Sequence, residues 1–362
     1  MRGIILSISA DASQMEKRDE AIMRGLEFIC ATARDPENFS AYGFDYTFCL
    51  HWIASTSRDK ALRRKARETA VECARRWRAD NPSVPADADA ETVAQAVFGG
   101  LTSDRLGLRD AAFRREVRSA ASRVAARDVL WFDPIEGPPP VDMPADCACG
   151  EENQRGRATC RGCKRRLKRL SRYEVWLLAL IRSYLGERYG VKLGARYADV
   201  IKWLPLMRPY PKHSDGYDDF IWAVYAVTHV VYTLNGYSTY KLSPRWLPVE
   251  FEFLKASLDD LIKLEDADAV GETLDSLKSF GLSDRHALIR RGVEFLLVTQ
   301  NADGSWGDTE AEDVYDRYHP TLTAVNGLRD YAWTEKRLVF PELRGDLRRW
   351  ARDGRASTQR HG

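Results

Sequence analysis

The chain has 362 residues, 44% of them hydrophobic, with ten Trp, fifteen Tyr and thirteen Phe, enough for one large buried core or two ordinary ones. Its 55 Lys and Arg against 53 Asp and Glu leave a net charge of +2, which excludes a global footprint for nucleic acid or membrane and turns attention to local patches. No apolar run is long enough to cross a bilayer, and the start, MRGIILSISADAS, lacks the long apolar stretch and cleavage site of a secretory signal, so a cytoplasmic protein is expected.

Helical periodicity dominates from the start. Residues 13–33 place Ile22, Leu26, Phe28 and Ile29 among charges, and residues 41–56 (AYGFDYTFCLHWIAST) are apolar nearly all round, which predicts a buried helix. Asp45 and His51 lie in that stretch; a carboxylate there is costly unless paired, so a pocket acid or, preferably, an Arg-paired Asp45 is expected. Residues 59–80 read as a basic amphipathic helix, and 88–100 and 107–127 continue the pattern. The stretch 132–147 carries five prolines and reads as an extended linker. Helices are predicted again over 172–187, 193–204, 216–235, 245–264, 267–280, 285–299, 317–333 and 340–352, without a convincing alternating strand pattern. This all-α reading suits an α/α barrel or a helical repeat stack, divided as N-terminal helices 1–131, a Pro-rich linker with a Cys-rich insertion 132–172, and C-terminal helices 173–362.

The insertion holds CACGEENQRGRATCRGC, with Cys147 and Cys149 one residue apart and Cys160 and Cys163 two apart. Two close thiol pairs joined by a loop build a tetrahedral thiolate site, so a small zinc knuckle is expected. Four sulfurs leave no open position, which makes the zinc structural, and Gly150 and Gly162 are expected to give the tight turns. Cys30, Cys49 and Cys73 are scattered through helical patterns, a usage that suits a reducing compartment. Nine Lys and Arg fall between Arg155 and Arg172, with no acid from Asn153 to Tyr173. They form a solvated basic surface or a binding surface for nucleic acid or an acidic protein; the absence of interleaved aromatics argues against single-strand binding.

Residues 291–306, RGVEFLLVTQNADGSW, place Arg291, Gly292, Phe295, Leu296, Gln300, Gly304 and Trp306 in a pattern that resembles the QW repeat of the terpene-cyclase and protein-prenyltransferase superfamily. The motif occurs once, and the resemblance covers roughly 215–335. Its physics is structural: a turn with Gly304 at positive φ, Gln300 bonding backbone at a helix end, and Trp306 covering it. The resemblance implies an α/α toroid of helix hairpins and a cavity for an isoprenoid or another hydrophobic small molecule. The following EDVYDRYHPTLTAVNGL (312–328) looks like the prenyltransferase segment in which a Tyr-His pair opens an inner helix, and His319 falls on that family's zinc-ligating His. The family's Asp-Gly-Cys has its nearest counterpart at Asp215 and Gly216, but Tyr217 stands in place of the Cys, which removes the basis for transfer to a thiol. Neither DADAE (87–91) nor EDADA (265–269) supplies the Asp-x-Asp-Asp acid of the cyclases.

The candidate catalytic residues are therefore His319, Asp218, Asp219, Asp316 and His229, with a possible second divalent metal at His319, Asp218 and Asp219. Each has a plainer role beside it. Asp218 and Asp219 suit the N-terminus of a helix, His229 suits a satisfied core histidine, and Asp316 belongs to an acidic run favoured by a helix dipole. Asp218 and His229 stand about 16 Å apart along one helix and cannot share an ion. Pro320 is expected in the first turn of the helix that His319 opens.

Overall fold

A computed structural model describes residues 2–358 except 145, 146, 148, 152, 154–158 and 168, with backbone alone for 2–14, 142–144, 169 and 354–358. Among the described residues the chain is all-helical but for one small ribbon. The helices are α1 (Arg2–Arg34), α2 (Pro36–Thr56), α3 (Lys60–Asp80), α4 (Ala90–Arg105), α5 (Ala111–Ala121), α6 (Ala126–Leu130), α7 (Arg172–Tyr189), α8 (Tyr197–Ile201), α9 (Tyr217–Asn235), α10 (Pro248–Lys263), α11 (Ala267–Ser279), α12 (Ala287–Val298), α13 (Tyr315–Leu328) and α14 (Arg344–Thr358). Strands β1 (Asp142–Pro144) and β2 (Arg169–Ser171) pair antiparallel and bring the two ends of the Cys-rich insertion side by side. The prolines kept the linker out of helix, as expected, and the ribbon is the only regular sheet structure described.

Two compact units divide the chain otherwise than in chain order. One holds the chain up to Pro82, Phe98–Asp110 and Leu234–Arg355; the other holds Ser83–Val97 and Ala111–Thr233. The first contains α1–α3 and α10–α13, the second α5–α8 and the ribbon.

Local chemistry starts and stops these helices. Asp35 accepts hydrogen bonds from the N–H of Glu37 and Asn38, with Pro36 in the first turn of α2. Asp59 caps α3 through the N–H of Leu62 (2.6 Å) and Asp266 caps α11 through that of Ala269 (2.9 Å). Gly190, at φ 75°, ends α7 in the left-handed conformation that a side chain would strain. The stretch 107–127 is two helices, with a turn at residues 122–124 where no Gly or Pro marks the break.

In the first unit α11 and α13 meet backbone to backbone. A Cβ on Gly271 would lie 2.4 Å from the Thr323 carbonyl, and one on Gly327 would lie 3.0 Å from the Cα of Gly271. Leu254, Leu258, Leu261, Val270, Leu274, Leu277 and Leu296 are fully buried around this crossing, each worth about 1.5–3 kcal/mol of burial. Lys278 donates from Nζ to the carbonyls of Gly327 (2.5 Å), Leu328 (3.3 Å) and Arg329 (3.3 Å), and Arg18 Nε donates to Leu328 O (2.5 Å). These two donors satisfy the carbonyls that end α13 and tie it to α11 and α1.

The 291–306 stretch has the local geometry its pattern implied. Gly304 takes φ 90°, with the Arg24 carbonyl 2.9 Å from where a Cβ would stand. Gln300 Nε2 donates to Ala21 O and Gly304 O (both 2.9 Å), and Trp306, fully buried, donates from Nε1 to Leu296 O (2.8 Å). The turn thus fastens the end of α12 to α1.

In the second unit, Trp176 Nε1 donates to Val200 O (3.0 Å), joining α7 to α8, and the Tyr197 and Thr233 hydroxyls are 2.7 Å apart.

Candidate functional site

Pro320 sits inside α13, not in its first turn, because the helix begins five residues before it, at Tyr315. A proline has no N–H to offer the Asp316 carbonyl. The backbone of Gly307 lies against that carbonyl, where an added Cβ would come within 2.3 Å of the oxygen. His319 is therefore in the second turn of α13, and its neighbours follow from helical geometry. Successive residues are turned by about 100°. Tyr318, fully buried, faces α2, where its hydroxyl bonds the Asp45 carboxylate and its ring lies 4.3 Å from that of Tyr46. His319 faces α11, with Nδ1 3.2 Å from Asp268 Oδ2.

Asp268 and Glu272 are one helical turn apart on α11, on the face that Gly271 brings against α13. With His319 they form a group whose ligand atoms all lie within 4.8 Å of one another. The side chains of His319 and Asp268 are only 20% and 18% exposed, and Glu272 is 2% exposed. Burial alone would lower the His319 pKa, but the Asp268 carboxylate, followed by Glu272 and Asp45, outweighs it and raises the ring to about 9. Asp266, at the cap of the same helix, is pushed up to about 6 by burial and by the Asp268 charge. Tyr315 stacks on the His319 ring at 4.9 Å and 17°.

Among the described residues no arginine pairs with Asp45, contrary to the expected pairing. Its hydrogen bonds come from the Tyr318 hydroxyl and, at 3.8 Å, the Cys49 thiol, while burial raises its pKa. A buried carboxylate can be satisfied by hydroxyl and thiol donors when it is not obliged to carry full charge. Tyr42, which donates to Asp313 (2.7 Å), extends this cluster towards the acidic run.

The remaining predicted residues are not members of this group of ligand atoms. Asp218 and Asp219 are exposed in the first turn of α9, in the second unit, and Asp219 accepts from the Ser171 hydroxyl (2.7 Å). His229, also on α9, directs Nδ1 to the Tyr225 carbonyl (2.9 Å) and its ring to Tyr232 (5.3 Å). Asp316 is exposed in the first turn of α13. The carboxylates grouped with His319 are thus Asp268 and Glu272, to which EDADA, compared with Asp-x-Asp-Asp alone, does not point. The usable signal was the i, i+4 spacing of Asp268 and Glu272 around Gly271, on a helix otherwise rich in small and apolar residues.

The four cysteines of the insertion do come together. Cys147 and Cys163 sulfurs are 3.3 Å apart, Cys149 and Cys160 sulfurs 3.6 Å, and all four lie within 4.8 Å of one another. Gly150, at φ 80°, closes the first turn with its N–H on Cys147 O (2.8 Å). In the second turn Lys164, at φ 62°, takes the left-handed position instead of Gly162, which packs against the Glu151 side chain. Asn153 Nδ2 points at the Cys160 sulfur (3.6 Å), an orienting contact of the kind that supports a bound thiolate. Of the basic segment, residues 155–158 and 168 lie outside the described residues; Arg161 pairs with Glu151.

No family model, no curated protein and no solved structure matches the chain. No helix of the described residues is long and apolar enough to cross a membrane.

Both clusters fit a metal by donor chemistry. The four sulfurs suit a tetrahedral ion closed to further ligands, and the mixed imidazole and carboxylate set suits a harder divalent ion such as zinc, iron or manganese. Cys30, Cys49 and Cys73 are buried thiols whose pKa values burial raises, that of Cys73 to about 12, which makes them inert.

Proposed function

We propose that this chain is an enzyme acting on an isoprenoid or similarly hydrophobic small molecule, with Asp268, Glu272 and His319 holding one divalent cation at its centre and the four cysteines holding a structural zinc. The single observation that carries the reading is the convergence of the Asp268, Glu272 and His319 ligand atoms within 4.8 Å, on two helices in backbone contact. The substrate class rests on the resemblance of 291–306 to the QW repeat, and with it the arrangement of the helices as an α/α toroid.

The residues divide the work. Asp268 and Glu272 supply charge and His319 a nitrogen, and an ion held there would act as a Lewis acid on a polar group of the substrate. Asp268 accepts from His319 and fixes the orientation of its ring. Tyr315 covers one face of that ring. Asp266, pushed up to about 6, is placed to hold a proton near neutral pH, as an acid or base must, and burial shifts Asp45 in the same direction.

The test is metal analysis of the Cys147→Ser/Cys149→Ser variant. One divalent ion per chain is expected to remain, and to be lost when Asp268→Asn and Glu272→Gln are added. Binding of a fluorescent farnesyl probe is expected to need that ion and to disappear in His319→Ala. A cysteine variant that retains no metal while still folded sinks the metal-centred reading.

A further inference from the structure

Helix α3 presents a second site, far from the thiols in sequence and built on another chemistry. Lys60, Arg63, Arg64, Arg67 and Arg75 line one groove of 940 Å³ together with Ala54 and Ser55 from the end of α2. The basic residues follow helical spacing, about one per turn, and span about 22 Å of the helix axis. All five are exposed, and none of their side chains makes a hydrogen bond or ion pair with any described residue. The groove has two carboxylates, Glu68 and Glu72, and Glu72 is drawn off by Arg34 (3.3 Å). Elsewhere arginines such as Arg78, Arg182 and Arg291 are paired with Asp110, Glu91 and Asp259.

A second observation lies on α2. His51, on α2 one turn before Ala54 and Ser55, has a buried Nδ1 without a hydrogen-bond partner. Burial, then the nearby Arg105 and Arg67 charges, hold its pKa down to about 4. The Arg67 guanidinium, which lines the groove, is thus an electrostatic neighbour of this ring.

We infer that the α3 groove binds a multiply phosphorylated ligand, recognised through a run of linked phosphates. Guanidinium forks match phosphate oxygens bidentately, which favours such an oxyanion over a simple halide. A row of cations over several helical turns rewards several linked charges more than one. The volume is that of a small-molecule site, and no aromatic ring lines it, so it offers no platform for nucleobases. The inference is independent of the proposed centre at His319, from which it differs in residues and in ligand.

The experiment is calorimetric titration of the full-length chain, at low salt, with orthophosphate, pyrophosphate, sodium tripolyphosphate, ATP and a thymidine 15-mer. Tripolyphosphate is expected to bind at least tenfold tighter than orthophosphate, and to weaken steeply as salt is raised. Arg63→Gln/Arg64→Gln/Arg67→Gln should lose at least tenfold with an unchanged circular dichroism spectrum, while the corresponding Lys triple variant should recover part of the affinity. ATP equal to tripolyphosphate identifies a phosphate tail as sufficient; ATP bound much more tightly identifies a nucleoside polyphosphate. No binding of tripolyphosphate, binding untouched by the Gln variant, or an oligonucleotide bound tenfold tighter than tripolyphosphate overturns the inference.

Discussion

The His319 ring carries the charge logic of the first unit. Its raised pKa, about 9 against an ordinary 6.5, means that the folded, metal-free protein holds a proton the unfolded chain releases. The linked stability is therefore fully present below pH 6.5 and is lost as pH rises through 9, by roughly 3 kcal/mol. Urea unfolding of metal-free protein across that range should show the loss, and His319→Gln should abolish the slope. Metal affinity should move the other way, because a ligating imidazole must first give up its proton; affinity measured by competition with a chelator is expected to rise from pH 6.5 to 9. Trp306 is the structural counterpart. Trp306→Ala should cost about 3–5 kcal/mol, and Trp306→Phe about 1 kcal/mol for the lost bond to Leu296 O, both read by thermal unfolding.

Among the elements, the α11–α13 crossing decides the geometry of the site. Gly271 stands between Asp268 and Glu272, and its missing side chain is what allows two helices to touch through backbone. Gly271→Ala must push them apart, since the added atom would meet the Thr323 carbonyl at 2.4 Å. A destabilisation of about 1–3 kcal/mol is expected, together with at least a tenfold loss of metal affinity. Loss of stability without loss of metal affinity would falsify the role given to this crossing. Asp35 before Pro36, Asp59 and Gly190 each cap a helix through short-range bonds that need no tertiary partner. The place of Pro320 was not legible in the sequence, because the loop after Trp306 allows a helix to begin at Tyr315, ahead of the proline, with Gly307 against the carbonyl it leaves unbonded.

On the scale of the whole molecule, the two groups of candidate metal ligands belong to different compact units. If the four cysteines hold the proposed ion, treatment with a thiol-reactive mercurial should raise amide exchange in β1, β2 and the turns around Cys147 and Cys163, while the amides of α11 and α13 stay protected. By itself the sequence determined the all-helical class, the Cys147, Cys149, Cys160 and Cys163 cluster and the turn from Gln300 to Trp306. Each of these is written in residues near one another along the chain, where periodicity, ligand spacing and backbone freedom act over a few turns. The sequence also marked His319, but attached it to Asp218 and Asp219. Only the tertiary structure gave it Asp268 and Glu272, some fifty residues away, and gave Asp45 a tyrosine in place of an arginine. Partners across helices are chosen by which backbones can approach, and that is set by packing at Gly271 and Gly327, not by any spacing along the chain.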